Sequence, residues 1–588
     1  MMTIAGLPES SLTPGRGRAV AEPHGPMSLF STIQQSSGAL QAAQIGLQVV
    51  GNNIANAHTE GYIRTRLEQS PAAAVRTGNL ILGQGVRPTG IRQVFDKALV
   101  ERLYNSITAL ESAEAITKAY LELEEITTDL ENTGLNHQLS LFNNALHELS
   151  TQPNDPSARE FVILQGEALA DRLRSNHERA LDRQRVWNME IAGYATDINR
   201  LTDRIAKLNV EISTLEGGGL SGSDATGLRD QRYRDLQELA TLIDINIQEV
   251  DNGNLSVFVG GDYLISEGIR REVVNVFNQE TGEQEIRIAQ IDSPLQVKGG
   301  KLAGTLEARN RVFGGYLNDL EDFTAALIRT VNRVHSQGQG RVGFDQVTGG
   351  YEADAGAPLA QSGLPWVPGN GEFRIQVIDR DDGVVSGHTI TVRQLGLVGD
   401  SSIGLIAGDI DAIPGLTATV DDRGRLRISS DSPATRFTFG EDTSGFLAAV
   451  GINTFFDGTG ARDVRVNRRL TQNHDLLAIS QGGIGADTYN LTELTDLIDR
   501  PMDFNGGRSV RGIHEQSMAR IGQRLSLQKG ATEGLRDFKA TLESRHLALT
   551  GVNIDEEAIK LISYQRAFQA SSRVISTASE MLEILVNL

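Results

Sequence analysis

Few patterns in this chain combine the residue types and spacing that chemistry needs. Gly338-Gln339-Gly340-Arg341-Val342-Gly343 matches the glycine pattern that cradles a dinucleotide. Such a loop must follow a strand and open a helix. Here helical periodicity precedes it and a loop follows, so it reads as a linker. Asp379, Asp381, Asp382 and Gly383 resemble the start of a calcium loop, but the bidentate Glu that closes one is missing. A hairpin turn is the simpler reading. His514-Glu515 opens a zinc-protease pattern whose second His would fall at Met518. No serine sits in a nucleophile elbow and no P-loop lysine follows a glycine-rich turn. With no cysteine, thiolate nucleophiles, disulfides and Cys-ligated zinc are unavailable. The expectation is a non-enzyme with no catalytic residue, cofactor or metal ligand.

One segment is unusual for a different reason. Asn52, Asn53 and Asn56, followed by Thr59, Gly61 and Tyr62, cannot extend a helix well, because Asn and Thr side chains compete with the backbone ladder. They can end a helix while offering amides to neighbours. A capping turn with no further role and a binding segment both remain open on these residues alone.

The elements that must position this segment are amphipathic helices at the two ends of the chain. Near the start, Ile33, Leu40, Leu47 and Ile54 recur every seven residues, interleaved with Leu29, Ala43 and Val50. At the end, Leu561, Phe568, Ile575 and Leu582 do the same, interleaved with Tyr564, Ala578 and Leu585. A seven-residue repeat with an intermediate apolar position makes a narrow seam for a second helix. Neither helix can form a core alone, and each is a weak solo folder. Laid side by side they bury both seams. Gly38, Ala39, Ala42, Ala43 and Gly46 permit close approach.

Length allows about three or four domains, each with its own core. The 55 Lys and Arg against 75 Asp and Glu leave a net charge of -20, which argues against nucleic acid or an anionic membrane as the main partner. No apolar run reaches the ~18 residues of a membrane-spanning helix. Residues 1–27, with Pro8, Pro14, Pro23 and Pro26, read as a disordered extension without a Sec signal, and Met27 looks like a natural start.

The interior predicts a mainly α fold with inserted β domains. Residues 28–64 form an N-terminal axial helix, stopped over Ala57–Gly61 with Gly61 as a left-handed cap, pairing with a C-terminal axial helix over 546–588. An extended linker with short strands spans 65–100. A helical bundle occupies 101–241, 301–340 and 466–545. After the Asn154-Asp155-Pro156 turn, Ser157 offers a cap for a very long helix. That helix carries the cleanest heptads in the chain, Trp187, Tyr194, Leu201, Leu208 and Leu215 alternating with Ile191, Ile198, Ile205 and Ile212. Two helices are candidate partners for it: one bearing Phe313, Leu320, Leu327 and Val334, the other Leu535, Phe538, Leu542 and Leu549. A β-rich segment covers 242–300. An inserted outer β-rich domain covers 345–465, with hairpin signals at Asp381-Asp382-Gly383 and Asp422-Arg423-Gly424.

The segment Asn53-Ile54-Ala55-Asn56 with Thr59-x-Gly61-Tyr62 resembles the N-terminal signature of flagellar rod, hook and hook-associated proteins. The run from Gly551 to Glu557, then Leu561 to Ala570, is similar to their C-terminal signature. Interior motifs resemble the hook-associated junction proteins: Phe142-Asn143-Asn144-Ala145-Leu146, the Asn154-Asp155-Pro156 turn with Arg159, Leu228-Arg229-Asp230-Gln231-Arg232, Gly299-Gly300-Lys301-Leu302-Ala303-Gly304 and Val331-Asn332-Arg333-Val334-His335. Resemblance fails over 345–465 and the extension. Where that family reads L-L-D-Q-R-D, this chain carries Arg229 and Tyr233, so the contact there must be rebuilt.

The resemblance implies a terminal-helix coiled coil inside a tube wall, a long-helix bundle outside it and β-rich domains outermost. It implies a structural part of the extracellular flagellum that joins hook to filament and is needed for filament assembly. Partners would be the hook protein, a second junction protein, further copies in a helical array and a type III export chaperone, with no nucleic acid or membrane. Assembly would fall to Leu29, Ile33, Leu40, Leu47, Val50 and Ile54, to the Asn52–Tyr62 signature, and to Leu561, Tyr564, Phe568, Ile575, Ala578, Leu582 and Leu585. The alternatives are another axial protein of hook or rod, or an adhesin or enzyme carried by the outer β domain.

Overall fold

A computed structural model describes residues 29–77, 80–127, 134–217, 221–250, 252–381, 383–397 and 399–587. The expectation of a disordered extension over 1–27 lies outside them.

The first helix, α1 (Leu29–Ala55), ends earlier than 64. Strands β1 (Thr65–Pro71), β2 (Val75–Thr77), β3 (Leu80–Leu82) and β4 (Val86–Gln93) follow. The short strands expected within 65–100 are present, and they pair: β1 and β4 run antiparallel from Thr65–Gln93 to Pro71–Val86, so the stretch is folded rather than a linker. Gly38 has only the Val86 carbonyl oxygen where a Cβ would sit, at 2.7 Å, so α1 lies directly on this ladder.

The scaffold helices are α2 (Lys97–Thr127), α3 (Leu135–Thr151), α4 (Pro156–Leu215) and α5 (Thr226–Leu242). Pro156 occupies the first turn of α4, and Asp155, not Ser157, is its cap, its side chain accepting from Ser157 N–H at 2.9 Å. Proline at the first helical position places the capping residue two positions earlier than expected. The β-rich segment contains β5 (Asn246–Glu249), β6 (Leu255–Val259), β7 (Asp262–Ser266) and β8 (Ile269–Arg270) in one antiparallel sheet. A second sheet holds β9 (Val273–Asn278), β10 (Glu283–Ile288) and β11 (Ser293–Pro294). Helix α6 (Gly300–Glu307) runs through a π-turn at Ala308–Phe313 into α7 (Gly314–His335).

The outer β domain comprises β12 (Gln346–Thr348), β13 (Gly371–Asp379), β14 (Val385–Val392), helix α8 (Ile403–Asp411), β15 (Leu416–Val420), β16 (Leu426–Ser430), β17 (Thr435–Gly440) and helix α9 (Phe446–Ala449). Its sheets, ordered β14-β13-β17 and β12-β16-β15, enclose a core that includes Phe373, Ile375, Phe437, Phe439 and Phe446. A short ladder of β18 (Phe456–Asp457) and β19 (Arg465–Val466) returns the chain to the scaffold. Residues 467–509 are mostly irregular, with only α10 (Arg468–Gln472), α11 (Tyr489–Asp496) and single 3-10 turns, in a stretch expected to belong to the bundle. The chain ends in α12 (Val510–Thr550) and α13 (Ile554–Val586). The C-terminal axial helix thus begins at Ile554 rather than 546, because Asn553 caps a new helix after a break at Gly551.

The heptad face of α4 meets its expected partners only in part. Ile191, Ile198, Leu201 and Ile205 pack with Leu236 and Leu239 of α5, with strand residues Val257, Ile265 and Ile288, and with Leu542 of α12. Trp187 belongs instead to the core shared with α3 and α7, and Leu215 is exposed. Helix α12 lies mainly on α2, where Thr117 and Thr532 hydroxyls meet at 2.8 Å and Arg536 pairs with Glu114 at 2.7 Å. Phe538 is exposed. A heptad row states that a helix needs an apolar neighbour, and a sheet can satisfy it as well as a helix.

The interior motifs join these layers. Asn332 donates to the Phe456 carbonyl at 2.7 Å and accepts from Phe455 and Phe456 N–H, while His335 Nδ1 meets the Asn453 carbonyl at 2.8 Å and Nε2 accepts from Ala478 N–H at 3.1 Å. Both chain crossings of the outer domain are thereby tied to the end of α7. Arg159, fully buried, donates to the Pro153 and Leu477 carbonyls. Arg229, where the family pattern differs, bonds Glu216 at 2.7 Å and Glu249 at 2.6 Å, and Tyr233 stacks on Phe95 with ring centroids 4.6 Å apart. The altered residues have built their own contacts.

Candidate assembly site at the base of the terminal helices

Helices α1 and α13 lie side by side, and the predicted seam positions meet there unevenly. Ala43, Val50 and Ala578 are buried, whereas Leu29, Ile33, Leu40, Leu47, Ile54, Leu561, Tyr564, Phe568, Ile575 and Leu582 are only half-buried. Leu585 is 65% exposed and lies outside the seam. The helices approach closely at Gly46, where an added Cβ would lie 2.6 Å from the Tyr564 ring. No residue of either helix belongs to the three large cores of the molecule. Helix α13 also carries a second, outward apolar set that includes Ile559, Ile562, Val574, Met581 and Ile584.

At the base of this pair the Asn-rich segment closes on the start of α13. Asn53, 1% exposed, donates from Nδ2 to the Thr65 carbonyl at 2.9 Å and to Glu557 Oε2 at 2.9 Å. Its Oδ1 accepts from Thr65 N–H at 3.0 Å, Thr65 Oγ1 at 3.2 Å and Tyr62 Oη at 2.8 Å. The carboxylate and the carbonyl both require a donor, which assigns the amide orientation. Every polar atom of the amide is satisfied, as burial demands. Glu557, equally buried, also receives Lys560 Nζ at 2.7 Å. Burial is the main cause that raises the Tyr62 phenol above its ordinary pKa, so the ring remains a neutral donor.

The neighbouring signature residues act locally. Asn56 donates its amide to the Asn52 carbonyl at 2.9 Å, and Thr59 Oγ1 bonds Asn56 Oδ1 at 3.2 Å, turning the chain out of α1. Asn52 contributes this carbonyl while its side chain is exposed. Gly61 takes φ +74°, but it lies beyond the helix end at Ala55, so it is a turn residue over the Arg234 side chain rather than the helix cap. Beside the turn, Arg64 pairs with Glu556 at 3.0 Å, and its N–H donates to the Thr550 carbonyl. Asn553 caps α13 through Asp555 and Glu556 N–H, and three acidic residues fill the first turn, where the helix dipole favours them.

Sequence reasoning missed Thr65, Asn553 and Glu557 as parts of this site. Glu557 already has a sufficient local explanation, an acid in a helix's first turn, so its distant partner left no separate signal. Asp230 of α5 completes the base, accepting from Gln93 Nε2 at 2.6 Å.

Among the described residues no group of three or more His, Asp or Glu is placed to hold a metal ion, and no helix is long and apolar enough to cross a membrane. The glycine run at 338–343 lies in a loop after α7, bridged to Ser480 through Gln339.

Residues 120–350 match the family model of the helical domain of the flagellar hook-associated protein FlgK. Residues 33–62 match that of flagella basal body rod proteins, and 543–588 that of the C-terminal part of flagellar basal body rod FlgEFG proteins. These two matches contain the two sides of the Asn53–Glu557 contact. Over 583 residues the chain is 23% identical to flagellar hook-associated protein 1 of Escherichia coli (strain K12), covering 95% of this chain and 100% of that one. It is 27% identical over 587 residues to flagellar hook-associated protein 1 of Bacillus subtilis (strain 168), covering 95% and 98%. The structure of the flagellar hook junction protein FlgK from Burkholderia pseudomallei aligns at 15% identity with a TM-score of 0.48, covering 76% of this chain and 99% of that one. With relatives matched along their whole length and rod-type signatures at both termini of a matching helical domain, this chain is similar from end to end to flagellar hook-associated protein 1.

Proposed function

We propose that the chain is a non-catalytic structural subunit of the bacterial flagellum, sitting where hook gives way to filament and needed for the filament to assemble. The observation that carries this reading is the α1–α13 pair: its inner seam is closed by small residues, while α13 keeps a second set of apolar side chains outward. A helix with two apolar faces needs a second neighbour, and copies of the same pair stacked heterologously supply one in an open helical array. Burying that outer face contributes ~25 cal/mol per Å², gained only on assembly.

On this reading the axial pair lies in the tube wall, the α2–α7 scaffold lies outside it and the β12–β17 domain is outermost. Its neighbours are the hook protein on one side and a second junction protein on the other. A cysteine-free chain suits export through the flagellar type III channel without a Sec signal, with a chaperone covering the C-terminal helix until delivery.

The test is deletion of residues 562–588 followed by assays of motility and of filament attachment to isolated hooks. The expected result is hooks without filaments and filament protein lost to the medium. Normal filaments would refute the proposal.

A further inference from the structure

The outer β domain meets the scaffold around a cavity of about 700 Å³ whose lining is opposite in sign to the rest of the chain. Four arginines line it, Arg341, Arg380, Arg436 and Arg469, against one acidic residue, Asp345. In a chain with 75 acidic and 55 basic residues, a local excess of this kind needs an explanation. The pairings that exist are loose. Arg436 lies 3.8 Å from Asp345, and Arg341 lies 3.6 Å from Asp475, both beyond hydrogen-bond distance. Some surface pairs elsewhere are tighter, such as Arg511 with Asp499 at 2.6 Å.

Arg469 is central. It sits on α10, half-buried, and donates to the Gln346 carbonyl at 2.5 Å. Among the described residues it has no carboxylate within ion-pair distance. Burial lowers its pKa, with Asp345 and Asp457 only opposing that trend. The same residue lines an adjoining cavity of about 500 Å³, to which Arg465 and Arg468 also contribute. A guanidinium held partly out of water without a counter-ion is costly, and a fork of donors directed into a cavity is suited to bidentate oxyanions.

We propose that this cavity binds a small polyanion carrying at least two phosphate or carboxylate groups, which Arg469 and Arg436 grip from the scaffold and β-domain sides. The volume lies within the range of small-molecule sites. Because the ligand spans both layers, its binding also clamps the β domain to the scaffold.

The experiment uses the full chain at low ionic strength, titrated calorimetrically with pyrophosphate, citrate and, as a monovalent control, acetate. Saturable binding of pyrophosphate or citrate but not acetate is expected, with a rise in thermal midpoint by linkage. Pyrophosphate alone assigns a phosphate ligand and citrate alone a carboxylate one. Arg469→Gln and the exposed Arg380→Gln should each weaken binding at least tenfold and abolish the thermal shift. Arg380→Gln keeps the test valid if Arg469→Gln fails to fold. Absence of saturable binding, or binding unchanged by Arg380→Gln, overturns the proposal. So does salt-sensitive self-association lost in Arg380→Gln without anion binding, which would assign the cavity to acidic side chains of a second copy.

Discussion

Asn53 and Glu557 stand 504 positions apart in the chain and share a hydrogen bond of 2.9 Å between two side chains that are each 1% exposed. This contact joins the end of the first axial helix to the beginning of the last, and through Thr65 it also fixes where the scaffold departs. Asn53→Ala leaves a buried carboxylate, the Thr65 backbone groups and the Tyr62 hydroxyl without their partner. A cost of ~2–4 kcal/mol follows, because each buried group left unsatisfied costs ~1–3 kcal/mol. Hydrogen exchange should accelerate across 29–55 and 554–586 while the cores of α4 and the outer β domain stay protected. Unchanged exchange in the two terminal helices would show that the seam holds them without the amide.

Gly46 leaves no room for a side chain in the axial pair, because the Tyr564 ring occupies the space of its missing Cβ. Gly46→Val forces α1 away from α13, and overpacking of this kind costs ~1–3 kcal/mol. The partner change Tyr564→Ala opens the space again. The double variant should therefore recover part of the loss, read as slowed proteolysis of the α13 segment relative to Gly46→Val alone. Strict additivity of the two changes would refute direct contact.

Two buried titratable groups give opposite pH trends. Burial raises the Asp230 carboxyl from 3.8 to about 7, against the Ile63 N–H, Arg234 and Gln93, which favour its charge. The folded state then holds a proton that the unfolded chain has released. Its contribution is complete below 3.8 and is lost as pH rises through about 7. Burial lowers His335 from 6.5 to about 4. Its contribution is complete above 6.5 and is lost as pH falls towards about 4. Asp230→Asn should flatten the loss of protection near Ile63 on going to alkaline pH, and His335→Gln the loss near Asn453 and Ala478 on acidification. Local exchange is the proper readout, since a chain with three cores does not unfold in one step. A trend of the reverse sign at either site would refute its assignment.

The mainly α class, the two β insertions and the pairing of the ends were legible because periodicity reports directly on burial. Ile33, Leu40 and Leu47 needed no structure to be placed on one stripe, nor did Leu561, Phe568 and Ile575. The hairpin at Asp422-Arg423-Gly424 was readable for a similar reason, since Gly424 takes φ +77°, a local requirement that residue type alone announces. Interior motifs such as Asn332 and His335 were visible as unusual residues at a helix end, though not what they hold.

Which faces meet was decided elsewhere. The α4 heptads specify that an apolar surface must be covered, but the choice of α5 and the β6–β10 strands over α12 depends on how all the layers pack at once. Leu585 continues a periodic row and yet is exposed, because burial needs a neighbour as well as a pattern. Glu557 looks like an ordinary first-turn acid and becomes Asn53's partner only when the last helix lies down beside the first. Periodicity and capping act over a few residues and are written into the chain, whereas partner choice is a property of three-dimensional proximity, which no local run of residues contains.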